Sequence, residues 1–178
     1  MNEYYITTDK LKDLCHKLNA GDKVYLSGKV FTSRDAAHKR IFEFIKKGEP
    51  LPFKIQNSVI YYAGPTETPA NMAIGSCGPT TSSRMDTFAP KLYDMGLTAT
   101  IGKGERNQTV IDSIVKNNAV YLCAIGGAGA LAAKSIVSNR VIAFEDLGCE
   151  SIKELVFKDF PLIVGIDCHG GNIFKRKF

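Results

Sequence analysis

Apolar positions recur along this chain in two rhythms, the three-to-four spacing of half-buried helices and the every-other spacing of strands. Leu11, Leu14, Cys15 and Leu18 share one face of a first helix, with Thr8 or Asp9 as its cap and Gly21 beyond its end. Lys23 to Thr32 alternates through Val24, Leu26 and Val30 around Gly28, which reads as one strand or a hairpin-like pair of short ones. Ala36, Ala37, Ile41, Phe42 and Ile45 predict a second helix, capped by Ser33 or Asp35 and ending at Gly48. The β-branched and aromatic run Val59-Ile60-Tyr61-Tyr62 predicts a strand, followed from Gly64 to Gly78 by an extended surface loop. Met85, Phe88, Ala89 and Leu92 then mark a central helix that starts near Thr81 to Ser83 and stops at Gly96.

The second half continues in the same manner. Leu97 to Ile101 reads as a short strand, Glu105 to Lys116 as a third amphipathic helix and Ala119 to Ile125 as a buried strand. Arg140 to Phe144 is another strand, and Ser151 to Phe160, Pro161 to Asp167 and Asn172 to Phe174 are closing β segments with Gly170-Gly171 as a turn.

Composition narrows the class. With 178 residues, 44% hydrophobic and 23% charged, the chain suits one soluble globular domain spanning 1–178. No apolar run reaches membrane-spanning length, and Met-Asn-Glu-Tyr-Tyr has neither the basic nor the apolar region of a signal peptide, so cytoplasm is the expected location. The formal charge of +5 is moderate and its lysines are dispersed. A nucleic-acid surface would want a basic stripe with stacking aromatics, and the tail Phe174 to Phe178 is the one basic cluster, read as a solvated end. Five scattered cysteines suggest free thiols; Cys77 and Cys168 could each supply one metal ligand at most, and His16, His38 and His169 form no chelating pair. No metal site is expected within this chain.

Candidate chemistry gathers at Ala73 to Asp86. Capping a helix needs one hydroxyl, yet Thr80, Thr81, Ser82 and Ser83 stand in a row beside Arg84, a pattern suited to a carboxylate or phosphate. Arg34 sits where a predicted strand hands over to a helix, a place where functional side chains collect, although on position alone a surface arginine pairing with Asp35 or a neighbouring carboxylate is the better reading. Lys103 stands between Gly102 and Gly104 just past a strand, where the glycines would let it approach a ligand. Gly127 to Ala132 matches a dinucleotide-binding pattern with Glu145 in the position of the ribose acid. Too little chain follows for further βαβ units, and a tight turn of small residues accounts for the same letters.

Four ordered strings carry a resemblance: Ser27 to Arg40, Tyr62 to Thr66, Gly78 to Asp86 and Ile101 to Gly104, with Gly-Gly-Ala-Gly-Ala and Asp-Phe-Pro-Leu-Ile-Val further on. Together they resemble the β subunit of class I fumarate hydratase and L-tartrate dehydratase, a module that also forms the C-terminal domain of single-chain class I fumarases. The resemblance implies an α/β fold, a swivelling β/β/α domain with a mixed sheet flanked by helices, docked on a separate α subunit that holds a [4Fe-4S] cluster. It implies reversible hydration of a small unsaturated dicarboxylate, with fumarate or malate ahead of tartrate as substrate. It further implies Thr80 as general base, Thr81 as a hydrogen-bonding partner of the substrate, and Arg34, Arg84 and Lys103 as its carboxylate clamps. Ser83 stands where many relatives would have glycine. Two other readings stay open: a stand-alone carboxylate-binding module without activity, and a nucleotide-binding enzyme built on Gly127 to Ala132.

Overall fold

The computed structural model describes residues 1–175; Arg176 to Phe178, most of the basic tail, lie outside the described residues. Its elements are β1 (Glu3–Thr7), α1 (Thr8–Leu14), β2 (Lys23–Thr32), α2 (Asp35–Lys47), β3 (Val59–Tyr61), α3 (Ala89–Asp94), β4 (Ala99–Gly102), α4 (Gln108–Lys116), β5 (Val120–Cys123), α5 (Gly129–Ala133), β6 (Ile136–Ala143) and β7 (Ile152–Ile166), with short 3-10 turns between some of them. The sheet is mixed and follows the order β1-β2-β3-β4-β5-β7-β6, with β7 also paired to β2. Neighbours from β1 to β5 run parallel, whereas β7 is antiparallel to β2, β5 and β6. Because β7 touches both β5 and β2, strands β2, β3, β4, β5 and β7 close on themselves as a barrel.

Alternation along the short parallel strands explains the two cores. Val59 and Tyr61, Ala99 and Ile101, and Val120 and Leu122 face the barrel interior. Ile60, Tyr62 and Tyr121 point the other way, where they meet Ile41 of α2, Leu92 of α3 and Ile114 of α4. Strands covered on both faces favour near-continuous apolar runs, which β3 and β5 have and which β4 interrupts with the buried Thr100. Inside the barrel Phe157 and Phe160 stack at 4.1 Å, with Tyr61 edge-on to both at 5.8 and 5.7 Å. Each fully buried side chain of this size contributes about 1.5 to 3 kcal/mol.

Several elements differ from the sequence expectation. Residues 23–32 form one strand, not a hairpin-like pair: Gly28 takes a left-handed φ of 113° at a bulge opposite Asp159, and a side chain there would strike Thr8 Oγ1. The central helix is not continuous. A 3-10 turn, Ser82–Met85, is separated from α3 because Pro90 lies at the start of α3, where its missing N–H is harmless, and could not occupy the interior of a longer helix. The closing segments are likewise one strand, since β7 runs through Pro161, and 172–174 is a turn tied to β7 by the Asn172–Ile166 bridge and by the Ile173 N–H, which donates to Gly165 O at 3.0 Å.

Two caps also come from unexpected residues. α4 starts at Gln108, not Glu105, because Asn107 Oδ1 accepts the Val110 N–H at 2.9 Å. The first turn of α2 is served neither by Ser33 nor by Asp35; its Ala36 N–H donates to Glu150 Oε2 at 2.9 Å, from a residue more than a hundred positions away. The loop 64–78 is anchored as well as exposed, since Ile74 and Cys77 are buried and Tyr61 OH donates to Cys77 O at 2.7 Å.

Candidate functional site

The parallel strands deliver their carboxyl ends to one rim of the barrel, and three of them lead straight into residues singled out above: β2 into Arg34, β3 into Tyr62 to Gly64, and β4 into Lys103. This is the edge of a parallel sheet at which ligands bind. Residues 79–82 are laid across it by backbone ties. Pro79 bridges Ala63, the Thr80 N–H donates to Tyr62 O at 2.7 Å, Thr81 bridges Lys103, and the Ser82 N–H donates to Lys103 O at 2.9 Å. Thr80 is half-buried while Thr81 and Lys103 are exposed.

The arginines arrive from two elements. Arg34 is the residue before α2, and Arg84 lies in the 3-10 turn. Asp35 joins them, its Oδ1 accepting from Arg84 Nε at 3.0 Å and its Oδ2 lying 4.0 Å from Arg34 Nε. Arg34 Nη2 is also 3.8 Å from Glu150 Oε1. Gly64 leaves room for this side chain: an added Cβ would sit 2.7 Å from Arg34 Nη1 and push the guanidinium aside. The structure therefore brings Arg34, Thr80, Thr81, Arg84 and Lys103 to one rim.

Beneath the rim lies a buried polar layer. Arg106 Nε donates to Asp86 Oδ1 at 2.6 Å and its Nη1 donates to Thr100 Oγ1 at 3.1 Å. The guanidinium lies 5.4 Å and 5.0 Å from the ring centroids of Tyr62 and Tyr121. Asp86 also accepts the Asn107 N–H at 2.8 Å. Tyr121 OH, paired with Ser82 Oγ at 2.9 Å, reaches Gly104 O at 2.9 Å. Ser82 thus serves the scaffold rather than a ligand, and Gly102 is glycine because a Cβ there would collide with Ser82 Oγ. Ser83 has no positive φ, so serine at that position carries no backbone strain.

His38 supports the same corner. Its Nδ1 lies 2.8 Å from Ser33 Oγ and 3.0 Å from Arg34 O, and its buried Nε2 has no partner among the described residues. Burial pushes the imidazole from 6.5 down to about 4, so it is neutral in the folded protein. The stability this neutrality supplies is fully present above pH 6.5 and is lost as pH falls through 4. Denaturant melts at pH 7 and pH 4.5 should show His38→Asn losing less stability on acidification than the parent, the difference approaching about 3 kcal/mol.

Sequence reasoning found the five rim residues but missed the roles of Asp35, Glu150, Asp86 and Arg106. Asp86 stood inside the Gly78 to Asp86 string, which was a usable signal; Glu150 is brought in only by the fold. The helix N-terminus expected to favour an anion near Thr80 is a four-residue 3-10 turn, too short for an appreciable dipole. The turn 126–128 does lead from β5 into α5, but the next strand, β6, pairs antiparallel with β7 and not with β5, unlike the second strand of a dinucleotide-binding unit.

The chain is similar to known proteins over nearly its whole length. The family model described as Fumarase C-terminus matches residues 2–177. A putative L(+)-tartrate dehydratase subunit beta of Methanocaldococcus jannaschii is 38% identical, covering 98% of this chain and 92% of its own length. Fumarate hydratase 2 of Leishmania major is 38% identical over 94% of this chain but only 30% of its own length. The anaerobic class I fumarate hydratase of Escherichia coli is 38% identical over 86% of this chain and 28% of its own. The chain thus spans under a third of those two fumarate hydratases. Matched by one family model over residues 2–177 and by a beta subunit of nearly the same extent, the chain belongs to the Fumarase C-terminus family.

Proposed function

We propose that this chain is the β subunit of a hydro-lyase and supplies the carboxylate-binding and proton-transferring half of its active centre. The observation that carries the reading is the placement of two arginines, one lysine and two threonines at the carboxyl rim of the parallel strands. Support also comes from the names of its relatives, which are fumarate hydratases and tartrate dehydratase beta subunits. The substrate is a small dicarboxylate, with fumarate or malate first and tartrate next. The whole chain acts as one swivelling domain against its partner.

In this reading Arg34, Arg84 and Lys103 grip the two carboxylates, with Thr81 donating a further hydrogen bond. Guanidinium groups present parallel N–H donors that match a carboxylate at two points, which a lysine cannot do. Thr80 Oγ1 takes the proton from the carbon next to the departing hydroxyl. Neutralising the carboxylate on that carbon stabilises the aci-carboxylate formed by deprotonation, and cations held ready around it need no rearrangement. A threonine hydroxyl is a weak base, so the same cations must also favour its alkoxide. Lys103 is suited to this work because it makes no ion pair among the described residues.

The described residues of this chain do not fit the [4Fe-4S] cluster that the family resemblance implies. Among the described residues no three Cys, His, Asp or Glu side chains converge for a metal, and Cys15 and Cys77 are buried apart from any such group. We assign the cluster to an α subunit. The reading is tested by mixing the purified chain anaerobically with a cluster-bearing α subunit and following fumarate hydration. Turnover should require both chains, and Arg34→Ala or Arg84→Ala should weaken dicarboxylate binding by about 2 to 5 kcal/mol. Unchanged affinity in both variants would defeat it.

A further inference from the structure

We propose that Asp35 is a positioning residue that aims Arg84, and with it Arg34, at the substrate carboxylates; this rests on the proposed function above. Among the described residues Asp35 is the one carboxylate within 4.0 Å of both arginines. It stands at the first position of α2, where an acidic side chain ordinarily serves the helix start. Here that work is done by Glu150, which accepts the Ala36 N–H, while Asp35 Oδ1 accepts from Arg84 Nε instead.

The choice of atom on Arg84 matters. A guanidinium has an Nε–H and four Nη hydrogens in one plane. A carboxylate on Nε fixes the rotation of that plane and leaves the Nη–H groups for a second, bidentate carboxylate. Without such a hold Arg84 would be poorly ordered, since its side chain is about half exposed and its own element is a single 3-10 turn. Aligning it in advance removes an ordering cost that binding would otherwise meet.

The second oxygen points to the same role. Asp35 Oδ2 and Arg34 Nε are both buried and both without hydrogen-bond partners, although they lie 4.0 Å apart. A buried polar atom left unpaired is costly, and a structural ion pair would have closed this gap. The pair stays open with Arg34 Nη1 beside Gly64, which leaves room for it, and Nη2 3.8 Å from Glu150 Oε1.

The test uses the complex with its cluster-bearing partner, comparing the parent with Asp35→Ala and Asp35→Asn. Asp35→Ala should raise KM for fumarate and the inhibition constant of succinate in parallel, each by about 10-fold or more, while kcat changes less than about 3-fold, the signature of lost binding alignment. Asp35→Asn, which keeps an oxygen able to accept the Arg84 Nε–H, should restore most of both constants. A lower melting temperature with unchanged KM would reduce Asp35 to a helix-start charge, and a lower KM would make it a competing anion; either overturns the proposal. So does an Asn variant as impaired as the Ala one. If Asp35→Ala does not fold, Asp35→Ser takes the same measurements. A parent complex that neither hydrates fumarate nor binds succinate would remove the proposed function itself, whereas an active parent with unaffected variants would remove the role of Asp35 alone.

Discussion

Thr80→Ala in the assembled enzyme is expected to lower kcat for fumarate hydration by about 10² to 10⁴, the range a positioned acid–base group supplies, with dicarboxylate affinity nearly unchanged. The separation of the two effects follows from the layout. The Thr80 N–H, not its hydroxyl, ties the segment to Tyr62 O, and the carboxylate grip is assigned to Arg34, Arg84 and Lys103. Thr80→Ser should retain far more activity than Thr80→Ala because it keeps an oxygen at the same carbon. Steady-state kinetics together with succinate titration checks both statements. Equal loss of kcat and of affinity in Thr80→Ala would mean that the rim had come apart, and the hydroxyl could then no longer be assigned the proton.

Asp86→Ala is expected to cost about 3 to 5 kcal/mol of folding stability, because it leaves the buried Arg106 without its counter-charge. Arg106 cannot escape by losing its proton, since the guanidinium stays charged in proteins. Denaturant unfolding of the purified chain measures the loss. The double variant Asp86→Ala with Arg106→Met removes both charges and should recover part of it. Additive losses in the double variant would contradict the pairing. The effect should also reach the site, since Asp86 holds the Asn107 N–H and Arg106 lies between the rings of Tyr62 and Tyr121, whose backbones and hydroxyls carry Thr80 and Gly104.

Much of the secondary structure was legible because it depends on local spacing. Val110, Ile111 and Ile114 mark α4 wherever that helix packs, and Gly48 ends α2 by adopting a left-handed φ of 68° that favours glycine. The misread segments are those in which a single proline, or a contact from a distant strand, overruled the periodic cue. The stripe from Met85 to Leu92 was real, and all of it is at least partly buried, yet Pro90 divides it into a turn and a helix. Pro161 looked like a break, but the bulge at Asp159, bonded through its N–H to Ser27 Oγ at 2.9 Å, lets β7 continue past it.

The sequence by itself determined the mixed α/β class and the buried strands, because these are written in periodicity, while short strings of neighbouring letters and the family resemblance they carry singled out the five candidate residues. Tertiary structure alone decided the barrel closure by β7, the service of Glu150 at the start of α2, the Asp86–Arg106 layer and the sharing of Asp35 between two arginines. Each of those depends on groups brought together by folding, such as Ala36 and Glu150, and their low-dielectric contacts leave no periodic trace along the chain.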